Sequence, residues 1–302
     1  MKNIWIFGAT GYVGQSLTKH LISVKEKDTV ITTLAHRRLP FRELENTNLI
    51  TGSLEDFNLS WLERFPPDVV FHCARMAGKN DRSRQAAAIK GEQANQRLIK
   101  ALDPFNTPII YCSGTLMYGN QNEVIDENTP LNPIAYAKWY ERAERPWTSH
   151  KNTNMDIRMA RPAWILGFDS WFYHFFYLPA TQNKRVPYYG DGRQRMSLLH
   201  VDDCGGLLNH VYTHGKTGCD YNLYVAPPIS QKEFSETIAE KMGLDVVCID
   251  RDTLEKMHGQ TVAEALTSDI PVRTANEAWH QDFTPIYPTV SDMLDAVLAS
   301  KR

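Results

Sequence analysis

The sequence is poor in the features that would commit a chain to a membrane, a nucleic acid or a covalent framework. No apolar run reaches the roughly 18 residues of a membrane span. Acidic and basic residues nearly balance (35 against 33, net charge -2), so no nucleic-acid or membrane-surface partner is expected. Cysteine is sparse. Cys73, Cys112, Cys204, Cys219 and Cys248 are odd in number and form no CxxC pair. That argues against a disulfide scaffold or a structural zinc site and suits a reducing, cytoplasmic setting. His174 fits no metal-ligand spacing, and no metal is expected. The chain opens directly on a strand pattern, so no signal peptide is expected. Internal repeats and low-complexity tracts are absent.

What is present is an alternation of short apolar runs with helical stretches. Ile4 to Phe7, Thr29 to Ala35, Val69 to His72, Pro108 to Cys112 and Asp156 to Arg161 read as buried strands. Gln15 to Val24, Arg84 to Leu102 and Pro133 to His150 read as helices, the last interrupted or ended near Pro146. Strands alternating with helices imply parallel βαβ units and an α/β fold with a doubly wound parallel sheet. After about residue 165 aromatics, prolines and loops dominate. The expected division is a dinucleotide-binding domain over 1–165 with a return segment at 196–225. A smaller C-terminal substrate lobe then covers 166–195 and 226–302.

The first strand runs into Gly8-Ala-Thr10-Gly11-Tyr12-Val13-Gly14. Gly8 permits a tight turn, Gly11 lets backbone approach a pyrophosphate, and Gly14 lets helix pack on strand. The helix N-terminus then faces the phosphates, with Thr10, Tyr12 and Val13 at the same turn. This is the opening of a Rossmann domain. The second strand ends at Leu34-Ala-His-Arg37-Arg38. An NAD site usually places an acid there for the ribose 2′-hydroxyl, whereas an NADP site places a base for the 2′-phosphate. Two arginines and no acid favour NADP, with NAD as the alternative.

The chain resembles the extended short-chain dehydrogenase/reductase family of the NAD-dependent epimerase/dehydratase type, over nearly its whole length. The carrying pieces are the glycine segment, Pro67-Asp-Val-Val-Phe-His72, Tyr111-Cys-Ser-Gly-Thr-Leu-Met-Tyr-Gly119, Arg161-Pro-Ala-Trp-Ile-Leu-Gly167, Gly190-Asp-Gly-Arg-Gln-Arg195 and His200-Val-Asp-Asp203. The resemblance implies a nicotinamide dinucleotide in the N-terminal domain, a nucleotide-linked sugar in the C-terminal lobe and a homodimer. It also implies a catalytic tyrosine, a lysine four residues later and a serine or threonine. The tyrosine moves a proton at the reacting oxygen, the lysine lowers its pKa and binds the nicotinamide ribose, and the hydroxyl orients the substrate oxygen.

Here the pattern departs from the family. Tyr136-Ala-Lys138-Trp-Tyr140-Glu-Arg-Ala-Glu144 allows two registers. With Tyr136 as the tyrosine, Glu144 is the downstream glutamate and Tyr140 fills the lysine position. With Lys138 as the lysine, Ile134 fills the tyrosine position. The first register keeps the proton donor and is preferred. Lys138 is two residues from Tyr136, about 200° around a helix, and cannot easily serve the same site. The hydroxyl position falls on Gly114, flanked by Ser113 and Thr115. After the strand Val69 to His72, Arg75 or Lys79 is a candidate for the missing positive charge. In the lobe, Arg195 is expected to anchor a phosphate and Trp171 to offer a stacking surface, with Trp171, His174, Phe175 and Leu178 on one helical face. The resulting expectation is an NADP-dependent reductase or epimerase of a nucleotide-linked sugar or sugar-like carbonyl substrate. The alternatives are an NADP(H)-binding protein without turnover and an enzyme acting on a non-sugar ketone.

Overall fold

A computed structural model describes residues 1–36, 41–151 and 153–300. In chain order the first elements are β1 (Lys2–Phe7), α1 (Tyr12–Val24), β2 (Thr29–Ala35), β3 (Asn48–Thr51), α2 (Ser60–Arg64), β4 (Val69–His72), α3 (Asp81–Leu102), β5 (Ile109–Cys112), α4 (Ala137–His150) and β6 (Ile157–Pro162). There follow β7 (Trp164–Leu166), α5 (Leu178–Asn183), β8 (Arg185–Tyr189), β9 (Arg195–His200), α6 (Val201–His214), β10 (Asp220–Leu223), β11 (Ala226–Ser230), α7 (Gln231–Met242) and β12 (Asp245–Ile249).

The chain divides into two compact units. The first comprises Met1–Ser113, Lys138–Arg161 and Cys204–Tyr221. Its seven-stranded sheet has the order β10-β6-β5-β4-β1-β2-β3, and the registered pairs from β3 through β6 are parallel. This is the doubly wound sheet expected from the strand–helix alternation. β1 lies near its middle, so Ile4, Trp5, Ile6 and Phe7 are all buried and read as a continuous apolar run. The period-2 alternation sends Trp5 and Phe7 to one face with Val70, Ile109, Tyr111, Ile157 and Met159. Leu98, Leu102 and Trp147 of α3 and α4 close that face. α3 starts on a reciprocal capping box between Asn80 and Ser83.

Two local expectations change. α4 continues through Pro146 to His150 rather than breaking there. Burial of Ala143, Glu144 and Trp147 on the same helix outweighs the lost backbone bond. The edge strand β3 was not legible, because only Ile50 of its four residues is buried.

The second unit comprises Gly114–Ala137, Pro162–Asp203 and the chain from Asn222 onward. It holds a three-stranded sheet, β11-β9-β7, and a parallel pair, β12-β8. β9, read from sequence as part of the return to the first domain, pairs here with β7 and β11. Phe172, Phe176, Tyr189, Leu198, Phe234, Ile238 and Leu294 form its core. Tyr173–Tyr177 winds as a π-helix leading into α5. The wider turn buries Phe172, Phe176 and Ala180 and leaves His174 exposed, which replaces the expected face of Trp171, His174, Phe175 and Leu178. Among the described residues no helix is long and apolar enough to cross a membrane, and no group of three or more His, Cys, Asp or Glu is placed to hold a metal.

Candidate functional site

At the end of β1 the chain turns on Gly8, whose φ is +86°. A side chain there would be strained, and a Cβ would lie 2.6 Å from the Ala74 nitrogen. The turn closes with the Gly11 N–H donating to Gly8 O at 2.9 Å, and α1 begins with Gln15 N–H donating to Gly11 O at 2.8 Å. A Cβ on Gly14 would sit 2.0 Å from Gly8 O, so only glycine lets α1 approach β1 this closely. Gly11 is the N-cap of α1 and supplies no side-chain cap. A hypothetical Cβ on Gly11 meets only Gly8 O, at 3.2 Å. The first turn of α1 therefore presents its N–H groups beside a residue without a side chain, an arrangement suited to the diphosphate of a dinucleotide. Thr10 is buried, and Tyr12 and Val13 are half-buried beside it. Arg37 and Arg38, on which the NADP preference rests, lie outside the described residues.

Ser113 continues the β5–β6 pairing through its N–H to Ala160 O at 2.7 Å. Its hydroxyl donates to Glu144 Oε2 and accepts from Arg161 Nη1 at 2.9 Å. Arg161 is fully buried and ion-pairs with Glu144 at 2.8 Å and with Asp220 at 3.1 Å. Lys151 pairs with Asp220 from the other side. Two cations and two anions thus close a buried network joining β5, α4, β6 and β10. Glu144 and Arg161 stood out in sequence only as parts of family motifs, and Asp220 not at all. A network spanning four elements leaves no local spacing to read. The carboxylate of Glu144 also helps burial push the nearby Tyr111 phenol far above the ordinary tyrosine range.

Gly114 is extended (φ 178°), and a Cβ there would meet only Pro162 O at 3.8 Å. Backbone and space at this position both accept a Cβ. In the second unit, Thr115 is buried in the short turn Thr115–Met117. Asn132 N–H donates to Met117 O at 2.9 Å and Ile134 N–H to Leu116 O at 3.3 Å. These bonds tie the Thr115 turn to the segment carrying Tyr136. Tyr136 is half-buried and stands immediately before α4. Ala135 before it has φ +47°, and its N–H donates to Glu264 Oε2 at 2.9 Å. A buried alanine in the left-handed region costs about 1–2 kcal/mol, a strain of the kind found next to functional groups.

Tyr140 follows Tyr136 by four residues, and its ring lies 4.2 Å below the Arg75 guanidinium. Lys138 is exposed.

Arg195 makes a two-pronged pair with Asp269, at 3.1 Å through Nε and 2.6 Å through Nη2. Asp269 also accepts from the Arg195 N–H and stabilises the charged guanidinium. Arg195 lines an open pocket of about 520 Å³ with Asp191, Arg193, Ser230, Lys232 and Glu233. Trp171 packs on Trp164, Phe176 and Phe234 at ring separations of 4.9, 5.6 and 5.8 Å. Its ring is thus largely committed to the core of the second unit.

On the first-unit face of the sheet, His72 is fully buried. Asn95 Nδ2 donates to Ala143 O at 2.7 Å, so its Oδ1 is the acceptor for His72 Nε2–H at 2.8 Å. Burial lowers the His72 pKa to about 4 and keeps the ring neutral.

Comparison with known proteins agrees with this geometry. The solved structure of dTDP-glucose 4,6-dehydratase from Bacillus anthracis in complex with NAD superposes with a TM-score of 0.78 at 17% identity, covering 99% of this chain and 96% of that one. A human epimerase family protein solved with NADPH gives 0.77 at 17% identity, covering 98% of this chain and 99% of that one. Protein YeeZ of Escherichia coli K12 is 25% identical over 154 residues, 51% of this chain and 53% of that protein. The match thus spans about half the length of this curated relative. The family model described as NAD dependent epimerase/dehydratase family matches residues 4–223. The chain belongs to the NAD dependent epimerase/dehydratase family.

Proposed function

We propose that the chain is an NADP-dependent reductase or epimerase of a nucleotide-linked sugar or sugar-like carbonyl compound. The observation that carries the reading is the glycine turn over an uncapped helix start in a fold shared with NAD- and NADPH-bound relatives. Residues Gly8 to Gly14 fit a dinucleotide diphosphate, and Arg37 and Arg38 would favour the 2′-phosphate of NADP. A bound nicotinamide supplies hydride transfer. Tyr136 moves the proton at the substrate oxygen, and Thr115 holds that oxygen. Ser113 has a supporting part only, because its hydroxyl is already engaged by Glu144 and Arg161. Arg193 and Lys232 line the second unit's pocket beside Arg195, whose guanidinium is paired with Asp269, and offer cationic groups to a phosphate. Trp171 stiffens the wall of that unit.

A second reading, a dinucleotide-binding protein without turnover, draws on Tyr140 in the lysine position. Tyr136→Phe separates the two. Under the first reading the variant loses about 10²–10⁴-fold in turnover of nucleotide-linked ketosugars, the usual worth of a positioned acid–base group, and binds NADPH as the parent does. A parent protein that binds NADPH yet oxidises it with no member of a ketosugar panel supports the second.

A further inference from the structure

The family lysine is absent, and the residue in its place is aromatic. Resting on the reading above, we propose that Arg75, seated on the Tyr140 ring, supplies the positive charge that the family takes from that lysine and presents it to the ribose and phosphates of a bound nicotinamide dinucleotide. Four observations converge on this assignment.

The Arg75 guanidinium lies 4.2 Å from the Tyr140 ring centroid, well inside the distance at which a cation is held by a ring face. Stacking occupies the flat face of the guanidinium and leaves its edge N–H groups to hydrogen-bond hydroxyl or phosphate oxygens. Arg75 also follows Ala74, the residue whose backbone closes on Gly8 of the phosphate turn. The backbone that carries this cation thus leaves the dinucleotide turn one residue before it. Among the described residues no carboxylate ion-pairs with Arg75, although it is exposed, so its charge is not spent within the protein. Its neighbour Arg84 is different, being paired with Asp81 at 3.0 Å. Finally, Tyr140 is four residues after Tyr136, the separation at which the family places its lysine. A ring at that position can hold a cation from another segment where it cannot supply one. Between the two basic residues of the β4–α3 loop left open by sequence, Arg75 is the one with an aromatic seat. Tyr140 is then a positioning residue acting through Arg75.

Fluorescence titration of NADPH and of NADH into the full chain tests this, alongside melting temperatures. Arg75→Ala is expected to weaken both dinucleotides about tenfold or more, the worth of a charge-assisted hydrogen bond, with the melting temperature unchanged. Tyr140→Phe keeps the ring and is expected to bind as the parent does. Tyr140→Ala is expected to weaken both ligands, and Arg75→Ala combined with Tyr140→Lys to restore most of the affinity. Parental affinity in Arg75→Ala overturns the assignment and leaves the proposed function standing. A loss confined to NADPH also overturns it, because Arg75 would then be a 2′-phosphate ligand. A parent chain that binds neither dinucleotide overturns the functional reading together with this one.

Discussion

His72 shows how one side chain reports on the inside of the sheet. Its ring is packed against Tyr111 and Trp147 at 5.1 and 5.3 Å and bonded to Asn95. Burial depresses its pKa from 6.5 to about 4. In the unfolded chain the ring takes up a proton below about pH 6.5, while in the folded protein it stays neutral until about pH 4. Folding stability therefore falls as pH falls through that window and is unaffected by this group above it. The shift corresponds to roughly 3 kcal/mol over the whole window. Denaturant unfolding of the parent and of His72→Gln between pH 7.5 and 5 checks this. The parent is expected to lose more stability on acidification, by up to about 1.4 kcal/mol per pH unit. Equal acid sensitivity of the two proteins would contradict it. At this scale the sequence was informative about what a residue is next to in the chain and silent about what packs on it. The glycine turn was legible because Gly8, Gly11 and Gly14 constrain one another locally. The seating of Arg75 on Tyr140 was not, because it depends on how the β4–α3 loop meets α4.

Among elements, α4 is the one whose placement matters most. It follows directly on Tyr136, carries Tyr140 and, through Glu144, reaches Ser113 on β5 and Arg161 on β6. The sequence showed a helix over this stretch but expected a break at Pro146. It could not show that the buried face of α4 carries a carboxylate bound into a four-charge network. Such a network is sensitive to the removal of one member, since a buried charge is then left uncompensated. Glu144→Ala is expected to cost about 3–5 kcal/mol in unfolding free energy. Replacing Glu144 and Arg161 together by apolar residues of similar volume is expected to cost much less than the sum of the two single changes, because Lys151 and Asp220 still neutralise each other. Additive losses in the double variant would show that the network does not act as a unit. The π-helical turn at Tyr173–Tyr177 makes the complementary point. A 3.6-residue period misassigned its buried face because the extra residue per turn is invisible in the pattern.

For the whole molecule, the strand–helix alternation was sufficient to identify a doubly wound sheet, and the order of several short motifs was sufficient to identify the family. The boundary residues of the two units were less legible. Strands such as β9 carry the same apolar signature in either sheet, and pairing decides where they go. The proposed function depends on the glycine turn being a dinucleotide site. Gly11→Asp tests that most directly, because stability and binding should move apart. An aspartate at the uncapped N-cap of α1 should accept from the helix N–H groups, worth about a few tenths of a kcal/mol over glycine, against a Cβ contact of 3.2 Å with Gly8 O, and so hold the melting temperature near the parent's. The same carboxylate would occupy and repel the phosphate position. Calorimetric titration of NADPH and NADH should show one saturable site per chain in the parent and none in a Gly11→Asp protein that melts no lower. A parent without saturable binding of either dinucleotide, or a folded Gly11→Asp protein that binds as the parent does, would contradict the account.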